Sequence, residues 1–308
     1  MGSVKPANDA QLDAAYGQCR AIAKREAKNF YYAFVALPRP RRNAICAIYA
    51  FMRQADDLAD DESVTLDERR ARLNAWLDSW HAAARGASTR DLVFLAVRDA
   101  TARYSIPLSL LDDLVAGVAM DLDSAKGGAP DTYATFADLY HYCYLVASVV
   151  GLVCIRIFGY TDPRAEKLAE ETGIAFQLTN ILRDVAEDAA RNRVYVPLED
   201  LKKHQVLLDS LLNRRAGSAP NANERALLKD IGRRAENYYR SAQTLMPLVD
   251  KESRPALGVL VEIYYALLKR IEKADFDVFS NRASVPTAEK LTILVIGMIK
   301  MAWVRIAG

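Results

Sequence analysis

One stretch of the sequence limits the possible folds more than any other, and it is the acidic run at residues 44–62. When this run is drawn as a helix at about 100° per residue, its apolar residues share one arc, and Asp56 and Asp60 lie within or beside that arc. Like charges one turn apart repel, and near a helix C-terminus they also face the negative end of the helix dipole. A helix that turns both carboxylates inward therefore needs a positive partner.

A divalent cation is one such partner, because Mg²⁺ binds carboxylate oxygens together with the phosphate oxygens of a substrate. Asp57, Asp61 and Glu62 lie farther round the same helix, where we expect water. The alternative is that the whole run is a solvated acidic helix end with no ligand. The segment by itself leaves both interpretations open.

A second helix with the same character is predicted at residues 163–188, and its residues 173–188 carry the acidic pattern. Gln177, Asp184 and Asp188 form a strip along the border of its apolar face, and Asn180 lies close to that strip. The two carboxylates are again one turn apart. The alternative for this segment is a salt-bridged surface, on which the acids pair with nearby arginines.

Two such helices can face each other in a bundle, because bundle metal sites are commonly built from side chains on facing helices. We predict that Asp56 and Asp60 lie opposite Asp184 and Asp188 across a cavity that holds several cations and a polyphosphate. Arginine suits bidentate phosphate recognition, and the arginines available for it are Arg53, Arg183, Arg191 and Arg193.

The composition is that of a helical protein, since 51% of the 308 residues are hydrophobic and only 14 are glycine. The 41 basic and 39 acidic residues leave a net charge of +2, so we expect no nucleic-acid partner. The four cysteines have no CxxC spacing, and no leader of charged then apolar residues opens the sequence, which favours a reducing cytoplasm. Neither GxxxxGK[ST] nor GxGxxG occurs to hold a nucleotide.

Periodicity and turn residues predict one all-α domain over residues 1–308, with no convincing strands. The uncharged run 139–155 is expected to be a buried helix, whereas the apolar tail 291–306 packs on the core, covers a pocket or rests on a membrane surface. Helices are predicted at residues 9–27, 44–62, 66–83, 89–103, 107–122, 132–158, 163–188, 198–213, 222–249, 253–274 and 286–305, with loops at 123–130 and 216–221 and an irregular segment at 191–197.

Four stretches resemble the squalene/phytoene synthase family, and the resemblance extends over nearly the whole chain. These stretches are NFYYAF at 29–34, YAFMRQADDLAD at 49–60, YCYLVA at 142–147 and QLTNILRDVAED at 177–188. The resemblance implies a single all-α isoprenoid-synthase bundle with a central cavity. It also implies head-to-head condensation of two prenyl diphosphates with Mg²⁺ as the metal.

By that resemblance, each matched residue has an expected role. Tyr142 corresponds to a tyrosine near the reacting carbons, and Asn29 stands where many relatives carry a serine that meets the diphosphate. A core tyrosine is the alternative for Tyr142. The expected catalytic acids and metal ligands are Asp56, Asp60, Asp184 and Asp188, with Asn180 as a further metal ligand. The expected substrate-binding residues are Asn29, Phe30, Tyr49, Arg53, Gln177, Asn180, Arg183 and Tyr195.

The stretch Asn29-Phe30-Tyr31-Tyr32 is more similar to bacterial presqualene diphosphate synthases of hopanoid biosynthesis than to phytoene synthases. We therefore expect two farnesyl diphosphates to give presqualene diphosphate, with no use of NADPH. The alternatives are a phytoene synthase that condenses two C20 diphosphates, a full squalene synthase that uses NADPH, and a non-catalytic relative. The protein is expected in the cytoplasm, with peripheral association at the inner face of the membrane left open.

Overall fold

The computed structural model of the chain describes residues 9–124, 130–214 and 217–307, and the regular secondary structure in these ranges is almost entirely helical. The all-α prediction is therefore confirmed. The helices are α1 Asp9–Glu26, α2 Lys28–Val35, α3 Arg39–Ala59, α4 Leu66–Ala84, α5 Leu92–Arg103, α6 Leu108–Ser124, α7 Phe136–Cys143, α8 Val149–Phe158, α9 Arg164–Ala190, α10 Leu198–Lys203, α11 Leu208–Leu212, α12 Ala222–Leu245, α13 Arg254–Lys273 and α14 Thr287–Ala307.

Local side-chain contacts explain where several helices begin. Thr135 and Asp138 form a reciprocal capping box before α7, and Asn221 and Glu224 form another before α12. Asp91 caps α5 by accepting hydrogen bonds from two backbone amides, so α5 begins at Leu92 rather than at the predicted residue 89.

Two large groups of buried apolar side chains form the core. The first is built mainly from α1, α3, α5, α6 and α8, and the second mainly from α7, α9, α12 and α13. Phe30 and Val261 are partly buried and pack against both groups, so they lie where the two groups meet. Helix α9 makes its most extensive contact with α12. Its apolar face is buried in the second group, which leaves its polar strip at the edge of the core.

The first acidic helix ends earlier than the sequence predicted. Helix α3 stops at Ala59, and Asp60 is its C-cap. The Asp61 carboxylate accepts hydrogen bonds from the backbone amide and the hydroxyl of Ser63. Such local side-chain hydrogen bonds compete with helical ones and favour a turn, so the prediction that the helix runs to Glu62 is wrong.

The predicted helix at 132–158 is shorter and less regular than expected. Its first residues are extended: β1 Asp131–Thr132 pairs in parallel with β2 Arg193–Val194, in the register Asp131 to Arg193. A π-helical turn, Tyr144–Ser148, then separates α7 from α8. The prediction of no strands missed this pair because two residues are too few to show alternation.

The predicted helix at 198–213 is two short helices, α10 and α11. Gln205 between them has φ +55°, a left-handed backbone conformation that no helix continues through. The predicted loop at 123–130 begins at least two residues later than expected because α6 extends to Ser124, and residues 125–129 lie outside the described ranges. Residues 215 and 216 lie outside them as well.

The apolar segment Phe136–Phe158 is long and apolar enough to cross a membrane by those two criteria alone. Half of its most apolar window is buried against the rest of the protein, with Leu139 in the second core group and Val153 in the first. This burial is that of a core helix, as the sequence predicted for residues 139–155.

We expect Gly173→Ala to destabilise the protein by about 1–3 kcal/mol, the usual effect of overpacking. A Cβ added to Gly173 would lie 2.5 Å from Cα of Ser148, so α9 would have to move away from the π-helical turn. The control is Gly17→Ala in α1, where the nearest atom would lie 3.7 Å away and helix propensity favours alanine. Denaturant unfolding of both variants measures the difference, and equal stabilities would contradict the close approach at Gly173.

Candidate active site

The strip on α9 contains Asn180, Asp184 and Asp188, which lie on successive turns of one face of the helix. All three side chains are half-buried. Asn180 Nδ2 donates to Gln177 Oε1 at 3.3 Å, whereas Asn180 Oδ1 is buried and accepts no hydrogen bond of good geometry from the described part of the chain. A buried acceptor without a donor is unfavourable, so this oxygen is suited to a ligand.

Asp184 is fully engaged by two arginines. Arg183 Nε donates to Asp184 Oδ1 at 2.7 Å, and Arg282 donates to the same oxygen from Nε at 3.0 Å and Nη2 at 2.8 Å. Arg183 Nη2 also donates to Asp184 Oδ2. Burial alone would raise the pKa of Asp184, but the two guanidinium groups outweigh burial and hold that pKa below its ordinary value.

Asp188 lies one turn farther along and has a different environment. In the described part of the chain, its carboxylate makes no hydrogen bond or ion pair. Burial and the neighbouring charge of Asp184 raise the pKa of Asp188 to about 7, although Arg191 and Arg193 act in the opposite direction. A small cavity of about 10 Å³, room for about one water molecule, lies beside it and is also lined by Tyr195. A bound cation would favour the ionised form of this acid.

The α3 side of the predicted site is more open. Arg53 is ion-paired with Asp57, one turn away, and Asp56 is half-buried. Asp57 is exposed, as expected, but Asp60 is exposed and Asp61 is half-buried, so the structure contradicts the expectation that Asp60 points inward and Asp61 faces water. The physical reason is the early end of α3, which places Asp60 in the turn rather than on the helical arc. Tyr49 is half-buried, and burial raises the pKa of its hydroxyl.

Three tyrosines form a cluster beside the second core group. The rings of Tyr142 and Tyr195 stack with centroids 4.9 Å apart, and the Tyr142 hydroxyl donates to that of Tyr195 at 3.2 Å. Tyr133 lies 5.5 Å from Tyr142 and 5.9 Å from Tyr195, because the β1–β2 pair ends directly before Tyr133 and Tyr195. The structure therefore brings Tyr142 and Tyr195, predicted separately, into direct contact.

Aromatic side chains also surround Phe30, the residue between the two core groups. The rings of Phe30 and Tyr264 are 5.9 Å apart, and Tyr264 stacks on Phe176 of α9 at 4.4 Å. Phe30 also contacts Phe34, whose ring is 6.0 Å from Tyr49. The side chain of Asn29 lies outside what the structure describes.

Sequence reasoning missed four residues of this region. Arg282 contacts Asp184 from 98 positions away, and Lys290 at the start of α14 is close enough to Arg183 that its pKa is lowered, by burial first and by this positive charge second. Tyr133 and Tyr264 complete the two aromatic clusters. The sequence had no signal for them, because none belongs to an acidic or motif-bearing helix.

The residue types of the strip fit a hard divalent cation, since they offer two carboxylates and an amide oxygen without a hydrogen-bond donor in the described ranges. In the described ranges, no three His, Cys, Asp or Glu side chains lie close enough to hold a metal ion by themselves. Mg²⁺ commonly takes only one or two carboxylates and completes its shell with water and substrate phosphates. The arrangement therefore fits a cation that binds together with a diphosphate.

Comparison with known proteins gives consistent results over nearly the full length. The chain is 34% identical to the 15-cis-phytoene synthase of Synechococcus elongatus over 94% of each chain, and 32% identical to the phytoene synthase of Mycobacterium tuberculosis over 92% of this chain and 90% of that one. A dehydrosqualene synthase structure superposes with a TM-score of 0.81 at 28% identity, covering 96% of this chain and 99% of the other. The squalene synthase HpnC from Alicyclobacillus acidocaldarius has a TM-score of 0.77 at 27% identity, covering 88% and 97%.

The fold and these likenesses define the class first: the protein has the all-α isoprenoid-synthase architecture. Within that class, the chain belongs to the squalene/phytoene synthase family, whose sequence model matches residues 23–289. Membership places the protein among the prenyltransferases that condense prenyl diphosphates head to head.

We expect Asp188 to contribute stability that the metal-free protein loses as pH rises from about 4 to about 7, and Asp188→Asn to remove this contribution. The pKa of Asp188 is about 7 in the folded protein against an ordinary 3.8, so the folded state holds a proton that the unfolded state has released. The stability difference between Asp188→Asn and wild type should therefore grow in favour of the variant across this window and level off above it.

Denaturant unfolding in EDTA at several pH values measures the difference. Glu62→Gln is the control, because Glu62 is exposed and lies past the end of α3. A difference between Asp188→Asn and wild type that does not change with pH would contradict the raised pKa.

Proposed function

We propose that the protein condenses two molecules of farnesyl diphosphate head to head, in a reaction that requires Mg²⁺, and releases presqualene diphosphate. The observation that carries this proposal is the strip on α9, where Asn180 Oδ1 and the Asp188 carboxylate have no partner in the described ranges while cationic side chains stand beside them. A half-buried acid whose charge nearby arginines compensate only in part is suited to a metal bridged to a diphosphate.

The residues that would hold the metal are Asn180, Asp184 and Asp188, with Asp56 and Asp60 on the α3 side. Bound there, the metal would neutralise the negative charge that develops on the departing pyrophosphate. Arg183, Arg282 and Lys290 converge on the same end of α9 and would bind the diphosphate oxygens that the metal leaves free. The leaving group would then be held by the three cationic side chains and by the metal that the five acceptor residues bind.

The hydrocarbon parts of the substrates need apolar surroundings, because an allylic carbocation reacts with any water that reaches it. Phe30, Phe176 and Tyr264 would supply such surroundings next to the acidic strip. The faces of aromatic rings also carry negative potential, which stabilises a nearby cation. Tyr142 and Tyr195 would face the reacting carbons. Their hydroxyl groups are hydrogen-bonded to each other, so each hydroxyl is held in place by the other.

The chemistry of the first step explains how the reaction can end at presqualene diphosphate. Joining two farnesyl groups breaks one carbon–oxygen bond, releases one pyrophosphate and one proton, and keeps the second diphosphate on a cyclopropylcarbinyl carbon. No electron donor is needed up to this point. The likeness of NFYY at residues 29–32 to presqualene diphosphate synthases supports this end point, as do structural neighbours named for C30 products, squalene and dehydrosqualene.

A second candidate is phytoene synthesis from two C20 diphosphates. It is favoured by the sequence relatives, since the proteins of Synechococcus elongatus and Mycobacterium tuberculosis are both named phytoene synthase. The two candidates share the acidic strip and the cations, and they differ in the length of the hydrocarbon that must be enclosed.

We expect Asp184→Asn and Asp188→Asn each to lower kcat by about 100-fold or more, the usual effect of removing one group that stabilises charge in a transition state. Glu62→Gln, an equal change of charge at an exposed acid, should leave kcat within about two-fold of wild type. Pyrophosphate release measures all three rates. Similar losses in all three variants would show that acidity in general, rather than the α9 strip, is responsible.

The product decides between the candidates. Purified protein incubated with farnesyl diphosphate and Mg²⁺ should give presqualene diphosphate as the main product, with no increase in rate on addition of NADPH and no product in EDTA. Mass spectrometry of the phosphorylated and hydrocarbon fractions detects the outcome. Squalene formed in proportion to NADPH consumed would indicate a full squalene synthase, and preferential conversion of the C20 diphosphate to a C40 hydrocarbon would indicate a phytoene synthase.

A further inference from the structure

Arg282 stands out in the site because it comes from a loop rather than from a helix. It lies between α13 and α14, and its side chain is 51% exposed, yet its guanidinium reaches the half-buried Asp184. Nε and Nη2 donate to Asp184 Oδ1 at 3.0 and 2.8 Å, and Nε lies 2.9 Å from Glu187 Oε1. One arginine therefore joins two acids of α9 from outside the helix.

Both oxygens of Asp184 already accept hydrogen bonds from arginines, and most of these fall on Oδ1. Oδ1 accepts from Arg183 Nε and from two nitrogens of Arg282, and Oδ2 accepts from Arg183 Nη2. A metal ion binds the same lone pairs at about 2.0–2.1 Å, and a guanidinium at hydrogen-bond distance from that oxygen would repel it. A cation can therefore bind Oδ1 of Asp184 only after Arg282 has moved away from that oxygen, whereas Oδ2 has a single donor and keeps one lone pair.

Arg282 is the arginine that is able to move. Arg183 belongs to α9 itself and is only 18% exposed, so it is held by the helix next to the acid that it contacts. Arg282 is anchored by a loop, and Glu187 is 51% exposed and lies on the same side of α9. Arg282 can therefore leave Asp184 and keep its ion pair with Glu187.

We propose that Arg282 is a latch for the metal site: it neutralises Asp184 when no cation is bound, and it retreats to Glu187 when a cation binds the strip. The proposal rests on the function proposed above, since it takes the α9 strip to be the metal site. Arg282 thereby competes with the metal for one carboxylate, and its displaced guanidinium stays beside the strip, where it would contact the diphosphate. Metal-free protein then keeps Asp184 paired, and metal binding must displace this pair first.

The test is Mn²⁺ binding to metal-free protein without substrate, followed by electron paramagnetic resonance of the free ion. Arg282→Gln removes the latch, so the Kd for Mn²⁺ should fall by about five-fold or more, the lower limit of typical coupling between competing interactions. Arg282→Lys keeps the positive charge but loses the two-point contact with Asp184, so its Kd should also fall clearly below that of wild type.

Arg225→Gln is the matched control, because Arg225 likewise joins a helix to a loop through an ion pair, with Asp275, and lies outside the site. Its Kd should equal that of wild type. Circular dichroism shows whether each variant is folded. If Arg282→Gln does not fold, the milder variant Arg282→Lys still tests the proposal.

Three results would overturn the latch: unchanged Kd in both Arg282 variants, weaker binding in either, or tighter binding in Arg282→Gln alone, which would reflect only the net charge. Absence of Mn²⁺ binding in wild type and variants alike would overturn it too. The proposed function is tested separately by product formation in the wild-type protein. Tighter Mn²⁺ binding in both variants, together with no consumption of prenyl diphosphates by wild type, would support the latch and refute the function.

Discussion

The site depends on one unfavourable arrangement, the partial burial of Asp184 and Asp188 one turn apart on α9. Burial and mutual repulsion both oppose ionisation of this pair. The protein compensates the two acids unequally: Arg183 and Arg282 lower the pKa of Asp184, whereas the pKa of Asp188 rises to about 7. One acid is thus kept charged and paired, and the other is charged readily only when further positive charge arrives.

The packing of α9 prevents the helix from relieving this repulsion by rotation. Gly173 lies so close to Ser148 that a single added carbon would collide with the π-helical turn. Farther along, the buried hydroxyls of Thr179 and Tyr239 share a hydrogen bond that ties α9 to α12. The polar strip is therefore held in place by contacts on the opposite, apolar side of the helix, and adjustment falls to the loop residue Arg282.

The part of this arrangement that lies within single helices was predictable from the sequence. Periodicity placed Gln177, Asp184 and Asp188 at the border of an apolar face, and the structure finds them half-buried there. The end of α3 was not predictable from periodicity, because the turn made by Asp61 and Ser63 is a local competition that the helical pattern does not record. Arg282 was missed because its partner is 98 residues away and only the tertiary fold brings them together.

The two product candidates differ in the length of the substrate's hydrocarbon chain and not in its diphosphate group. The acidic strip and its cations act on the diphosphate, which is the same group in a C15 and a C20 substrate. Chain length must therefore be distinguished elsewhere, by side chains that border the hydrocarbon. Under the proposed function, the candidate for this role is the place where the two core groups meet, at Phe30 and Val261, with Phe176 and Tyr264 stacked beside it. Phe30, Val261 and Tyr264 come from α2 and α13, so the acidic motifs alone would not determine the substrate's length.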